Sequence, residues 1–138
     1  MEHEAFEIIG ADRPCKWVSI ADHATNIVPP AVSGGDLGLP AEDMARHIAW
    51  DPGARGVAIA MAQALNGPYI GTRFSRLVID PNRAEDDPTV LMKLYDGSII
   101  PGNRHADAAE KERRLAAYHR PYHDALSGLL TRAEAAGE

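Results

Sequence analysis

The most apolar helical stretch of this chain, ARGVAIAMAQALNG (residues 54–67), lies between two short β-rich runs, CKWVSI (15–20) and PYIGTRF (68–74). Val57, Ala60, Met61 and Ala64 recur at helical spacing, and Asn66-Gly67 supplies the stop. A strand, a helix and a second strand in that order point to an α/β layer protein. The C-terminal segment from Ala106 to Glu138 is helix-rich, with Leu115, Tyr118, Tyr122, Leu126 and Leu129 along one face, and Pro121 is expected to kink or split it. Between these lie a Pro- and Gly-rich excursion (28–40), a short helix beginning at Pro40 and an extended stretch, SRLVIDPNR (75–83), brought to a turn by Pro81. A long loop without sustained period follows (84–104). Two or three strands make a poor sheet, so either that loop hides more strands or the chain forms part of a larger fold.

The 138 residues suit one domain. Fourteen Lys and Arg against 20 Asp and Glu give a formal charge of −6, with the basic residues scattered, which argues against a nucleic-acid partner. The apolar run GVAIAMAQAL is broken by Gln63 and is too short for a membrane span. The acidic start MEHEAFEIIG lacks the features of a signal peptide, and Cys15 alone makes no internal disulfide; it reads as a buried, inert thiol. The expectation is a soluble, cytoplasmic protein.

Four constellations have chemical potential. His23 stands where the apolar alternation of VSIADHATN stops, with Asn26 three residues on. An imidazole there is a candidate metal ligand, but spacing alone favours the plainer reading that Asp22, His23 and Asn26 satisfy backbone groups in a turn. In HIAWDPGA, His47 and Asp51 are four apart, and local pattern favours Asp51 as the cap of the helix after Pro52. FSRLVIDPNR crowds Arg76, Asp80, Asn82 and Arg83 around an apolar LVI. Arginine forks suit a carboxylate substrate, whereas an internal salt bridge to Asp80 is at least as well supported. HRPYH places His119 and His123 at the spacing of a helical zinc motif, but Arg120 replaces the general base and Pro121 distorts the turn. His123 reads instead as part of the core or a pocket wall.

Taken in order, ADHATNIVPP, LGLP, HIAWDPGA, FSRLVIDPNR, IPGNR and YHRPYHDAL resemble the N-formylglutamate amidohydrolase family from about Trp17 to Leu130. The resemblance implies a three-layer αβα, phosphorylase/hydrolase-like sheet akin to that of the zinc carboxypeptidases. It implies a Zn2+-dependent hydrolysis of an N-acyl amino acid, N-formyl-L-glutamate to formate and glutamate, in histidine breakdown. By the same resemblance His23 is the first metal ligand and Asp51, rather than His47, the second. Asn82 and Arg83 hold a substrate carboxylate, and Arg76 is a second carboxylate or catalytic oxyanion contact.

Two departures from the family pattern matter. The carboxypeptidase relatives use H-x-x-E, whereas Asn26 stands at the fourth position here and is expected to orient the site. Family members are about twice this length, the size of an ordinary catalytic domain. A third ligand, a histidine of an HSFTP-like motif, and the general base are expected in their second half. The chain therefore reads as a single domain (1–138) equivalent to the N-terminal half of the fold, an N-terminal portion or a shortened member. The rival reading is a non-catalytic module that binds a small carboxylate metabolite or a partner chain. A second copy pairing through an exposed sheet edge is a further expectation.

Overall fold

The computed structural model describes residues 3–14 and 16–135; Cys15, read as a buried thiol, lies outside the described residues. Strand β3 (Tyr69–Thr72) is the centre of a three-stranded sheet. β1 (Phe6–Ile9) pairs with it antiparallel and β2 (Ser19–Ala21) parallel, so that Ile8, Ile70 and Ile20 align across the sheet. All four β3 residues are buried, as expected for a strand covered on both faces. The sequence pattern did not mark FEII as a strand. Four residues are too few to establish alternation, and β1 acquires its hydrogen bonds only from β3.

Helix α2 (Ala54–Leu65) crosses one face of the sheet. Ala58 and Ala62 pack against Ala21, Ala24 and Tyr69, because small side chains let the helix sit close to the strands. The periodic stripe seen in the sequence identifies the helix but not its buried face: Val57 is 61% exposed and Met61 53%. α2 ends at Asn66 in the left-handed region (φ 53). Gly67 follows with no room for a side chain, since a Cβ would lie 2.0 Å from the Trp17 carbonyl oxygen.

On the other face, α3 (Ala108–Arg114) runs through a π turn (Leu115–His119) into α4 (Arg120–Ala135). Pro121 does not break this segment. The wide turn, closed by the Arg120 N–H donating to the Leu115 carbonyl, accommodates the proline ring and its missing donor. Leu115, Tyr118, Tyr122 and Leu129 enter the main core as the apolar stripe predicts, with Leu126 partly buried beside them.

SRLVIDPNR is not extended. Leu77, Val78 and Ile79 are wholly buried, but the segment folds as a turn in which the Val78 N–H donates to the Ser75 carbonyl. Side chains replace sheet neighbours here. Asn103 donates to the Leu77 and Met92 carbonyls, each at 2.7 Å, and the buried Arg114 donates to the Val78 carbonyl at 2.9 Å and to Asn103 Oδ1 at 2.7 Å. Glu110 accepts from Arg114 Nε at 2.7 Å, so the buried cation is paired.

The loop after Asp80 holds one small hairpin, β4 (Leu94–Tyr95) and β5 (Ser98–Ile99), separate from the main sheet. Its Asp96-Gly97 turn has positive φ at both positions, 49° and 78°. The helix predicted from Pro40 is one turn, α1 (Ala41–Met44). Among the described residues no helix is long and apolar enough to cross a membrane.

Candidate active site

The turn that ends in Asp80 and the loop leaving β2 meet at His23. His23 Nε2 donates to Asp80 Oδ1 at 2.7 Å, and Nδ1 lies 3.2 Å from Asp51 Oδ2. His23 is nearly buried and the Asp80 side chain wholly so, whereas half of the Asp51 side chain is exposed. The loop is fixed from several directions. The Asp51 N–H donates to the His23 carbonyl at 2.9 Å, Thr72 Oγ1 donates to the Asp22 carbonyl at 2.9 Å, and Tyr122 donates to the Asp22 carboxylate at 2.5 Å. Burial, and then this bond to Asp22, push the Tyr122 hydroxyl pKa far up, so it remains a donor.

Asp80 organises the cations. It accepts from Arg76 Nη2 at 3.2 Å, from Arg83 Nε at 3.3 Å and from the Asn82 backbone N–H at 2.9 Å. Burial by itself would raise the Asp80 pKa. The hydrogen bonds from His23 and Asn82 and the charges of His23 and Arg76 outweigh it and bring the value down to about 2. Burial likewise opposes protonation of His23, yet the hydrogen bond and charge of Asp80, with a smaller contribution from Asp51, hold its pKa above the ordinary value.

Arg76 is mostly buried. Its Nη1 is 3.7 Å from Asp51 Oδ1, its guanidinium lies 5.1 Å from the Tyr95 ring centroid, and its buried Nε has no hydrogen-bond partner. Arg83 also donates to Thr89 Oγ1. The structure shows the internal salt bridge, with both arginines held at Asp80.

The structure gathers His23, Asp51, Arg76 and Arg83 around Asp80. Asn82 joins through its backbone, and its exposed residue lines a groove of about 480 Å³ with Asp22, Pro81, Arg83 and His123. Asp51 does not cap α2 with its side chain; the N-cap position is Gly53, without a side-chain bond. His47 is remote from His23 in its interactions and pairs with Asp96 at 3.3 Å. Asn26 donates to the Met44 carbonyl at 2.8 Å, which ties the His23 loop to α1.

His119 and His123 form no metal pair. Their Nε2 atoms hydrogen-bond to the carbonyls of Arg83 (2.9 Å) and Pro81 (2.8 Å), clasping the DPNR turn on either side of Asn82. Sequence reasoning treated Asp80 only as a salt-bridge partner and missed its hydrogen bond to His23. The available signal was an acidic residue closing a buried apolar run directly before Pro81. Tyr95 and Tyr122 carried no such signal.

The donor chemistry accommodates a divalent cation. With the Nε2 proton given to Asp80, the Nδ1 lone pair faces a carboxylate oxygen 3.2 Å away, and two such acceptors need a proton or a cation between them. The carboxylate behind the distal nitrogen is the arrangement that orients metal-binding histidines. Among the described residues no group of three or more His, Cys, Asp or Glu side chains is placed to hold an ion.

The N-formylglutamate amidohydrolase family model matches residues 15–138. The fold is similar to that of gene product Atu2144 from Agrobacterium tumefaciens, with a TM-score of 0.91 and 33% identity, covering 99% of this chain and 53% of that one. It is also similar to N-formylglutamate amidohydrolase from Ralstonia eutropha JMP134, with a TM-score of 0.61 and 21% identity, covering 95% and 52%. The second likeness is one of fold alone. The chain spans about half the length of each of these structures. No curated protein matches it significantly. The family match includes every residue of the cluster around Asp80, and the chain belongs to the N-formylglutamate amidohydrolase family.

Proposed function

We propose that this chain contributes the His23-Asp51 half of a metal-dependent, cytoplasmic amidohydrolase centre acting on an N-acyl amino acid, with N-formyl-L-glutamate as the substrate. The observation that carries the reading is His23 held between two carboxylates, with Nε2 committed to Asp80 and Nδ1 facing Asp51 at 3.2 Å. His23 Nδ1 and the Asp51 carboxylate would hold Zn2+ together with a third ligand from outside the described residues. Bound there, the ion supplies Lewis acidity toward an amide carbonyl and toward water.

The remaining work falls to the chain's own groups. Asp80 fixes the His23 tautomer and holds Arg76 and Arg83 in place. Arg83 and Asn82, on the rim of the groove, bind a substrate carboxylate, and Arg76 offers positive charge to the second carboxylate or to developing charge on the amide oxygen. Family membership supports this division of roles, as does the absence of any acidic side chain other than Asp22 from the groove lining.

The test is zinc content together with formate release from N-formylglutamate, for the chain with His23 and Asp51 intact and for His23→Ala and Asp51→Ala. Zinc uptake that each substitution removes is the expected result. If both variants keep their zinc, the ligand assignment is wrong. Binding of glutamate derivatives that Arg83→Ala removes, with no zinc bound at all, would identify a carboxylate-binding module instead.

A further inference from the structure

HRPYH, the motif whose two histidines form no metal pair, grips the turn that carries Asn82 and Arg83. His119 Nε2 donates to the Arg83 carbonyl at 2.9 Å and His123 Nε2 to the Pro81 carbonyl at 2.8 Å. A carbonyl oxygen only accepts, so each of these Nε2 atoms carries its ring's proton. Between the histidines, Arg120 Nη2 donates to Glu85 Oε1 at 2.8 Å. Positions 81, 83 and 85 are thus each held from the start of α4, and Asn82 stands between two of them on the wall of the groove. The turn's own bonds fix its N–H groups: the Arg83 N–H donates to the Asp80 carbonyl at 3.2 Å and the Asn82 N–H to Asp80 Oδ1 at 2.9 Å. The histidines fix its carbonyls.

The π turn makes this reach possible. Its closure from Arg120 to Leu115 stacks residues five apart on one face, as an α turn stacks residues four apart, so Arg114 and His119 come into line across it. In an unbroken α-helix the same two residues would lie about 140° apart. His123 follows one α turn after His119, and all three side chains donate to one stretch of chain: Arg114 to the Val78 carbonyl, His119 to Arg83 and His123 to Pro81. Packing restrains the rings further. His119 is 5% exposed, its centroid is 4.7 Å from that of His123, and Tyr122 lies edge-on to His123 at 5.4 Å. The buried His119 Nδ1 has no hydrogen-bond partner, so the bond to Arg83 is the one polar contact that orients this ring.

We propose that His119 and His123 are positioning residues for carboxylate binding. They hold the carbonyls on either side of Asn82, and through them the spacing at which Asn82 and Arg83 meet a carboxylate of the substrate. Such a site needs its donors held to within about 0.5 Å, and the pair supplies that restraint from a helix rather than from the turn itself. The inference rests on the assignment of Asn82 and Arg83 to a substrate carboxylate and deepens it by naming what keeps them in register.

The test is calorimetric titration of the full chain with N-formyl-L-glutamate at pH 7. His119→Leu and His123→Leu should each weaken binding about tenfold. His123→Gln, whose amide nitrogen can take the place of Nε2, should restore affinity to within about threefold of the parent. Gly67→Ala, which strains the end of α2 against the Trp17 carbonyl, should lower stability and leave affinity unchanged. Circular dichroism confirms the fold of each variant, and His123, only partly buried, carries the test if His119→Leu does not fold. Full affinity in His123→Leu, or a glutamine variant as weak as the leucine one, overturns the proposal. An equal loss in Gly67→Ala also overturns it, because binding would then follow stability and not the two imidazoles. A parent that does not bind N-formylglutamate, or binding that Arg83→Ala leaves intact, removes the carboxylate site itself, a result distinct from loss of the positioning role alone.

Discussion

Asp80→Asn removes the charge on which three cationic side chains converge. The carboxylate is wholly buried and accepts from His23, Arg76, Arg83 and the Asn82 N–H. An asparagine oxygen can accept one or two of these bonds but leaves Arg76, mostly buried, with Asp51 at 3.7 Å as its remaining counter-charge. Deleting one partner of a buried ion pair costs about 3–5 kcal/mol. Linkage gives a second figure: lowering the carboxyl from 3.8 to about 2 corresponds to roughly 2 kcal/mol at neutral pH. The sign follows from a depressed folded-state pKa, so this stability is present above pH 3.8 and is lost as the pH falls through about 2.

Asp80→Asn should therefore cost about 2–5 kcal/mol of a total near 5–15 kcal/mol. In urea titrations at pH 7 followed by tryptophan fluorescence, that loss moves the midpoint down by about 1 M or more. The gap between variant and parent should narrow from pH 4 toward pH 2. A midpoint within about 0.3 M of the parent at pH 7, or a gap independent of pH, would refute the role given to Asp80.

Four further outcomes follow from the structure. With a chelator present, the His23 contribution should be complete below pH 6.5 and should fade as the pH rises through its raised folded-state value; denaturation midpoints from pH 6 to pH 9 check this, and a flat profile contradicts it. His119→Ala removes the bond to the Arg83 carbonyl and should cost about 1–3 kcal/mol by urea titration. His123→Gln, which keeps a donor in reach of the Pro81 carbonyl, should bind N-formylglutamate more tightly than His123→Leu in calorimetric titration. Gly67→Ala places a methyl 2.0 Å from a backbone oxygen and should lower the thermal midpoint by several degrees; an unchanged midpoint would show that the Trp17 strand entry yields easily.

The sequence made the α2 helix, the β3 strand and the apolar stripe of the C-terminal helix legible, because each depends on local period. The buried face of α2 was not legible. Alanines win there through close packing on Ala21 and Tyr69, a tertiary condition that hydrophobicity does not encode. The turn around Leu77 to Ile79 looked extended because its apolar run matches a strand, and only Asn103 and Arg114, well downstream in sequence, supply the side-chain hydrogen bonds that replace a sheet neighbour.

In the site, family resemblance brought His23, Asp51, Arg76 and Arg83 forward where spacing alone left each with a plain alternative. The meeting of all four at Asp80 joins three stretches of chain and could not be read from any one motif. Pro121 shows the opposite case. Its local signal for a break was clear, and a single wide turn absorbed it.

The central claim is that His23 Nδ1 and the Asp51 carboxylate share one cation. The most direct measurement is the zinc stoichiometry of the purified chain and of its His23→Ala and Asp51→Ala variants, by elemental analysis after dialysis against buffered zinc. With two protein ligands the parent is predicted to take up zinc weakly from the buffered zinc, and both variants to lose that uptake. Zinc retained by either variant at the parent's level would contradict it.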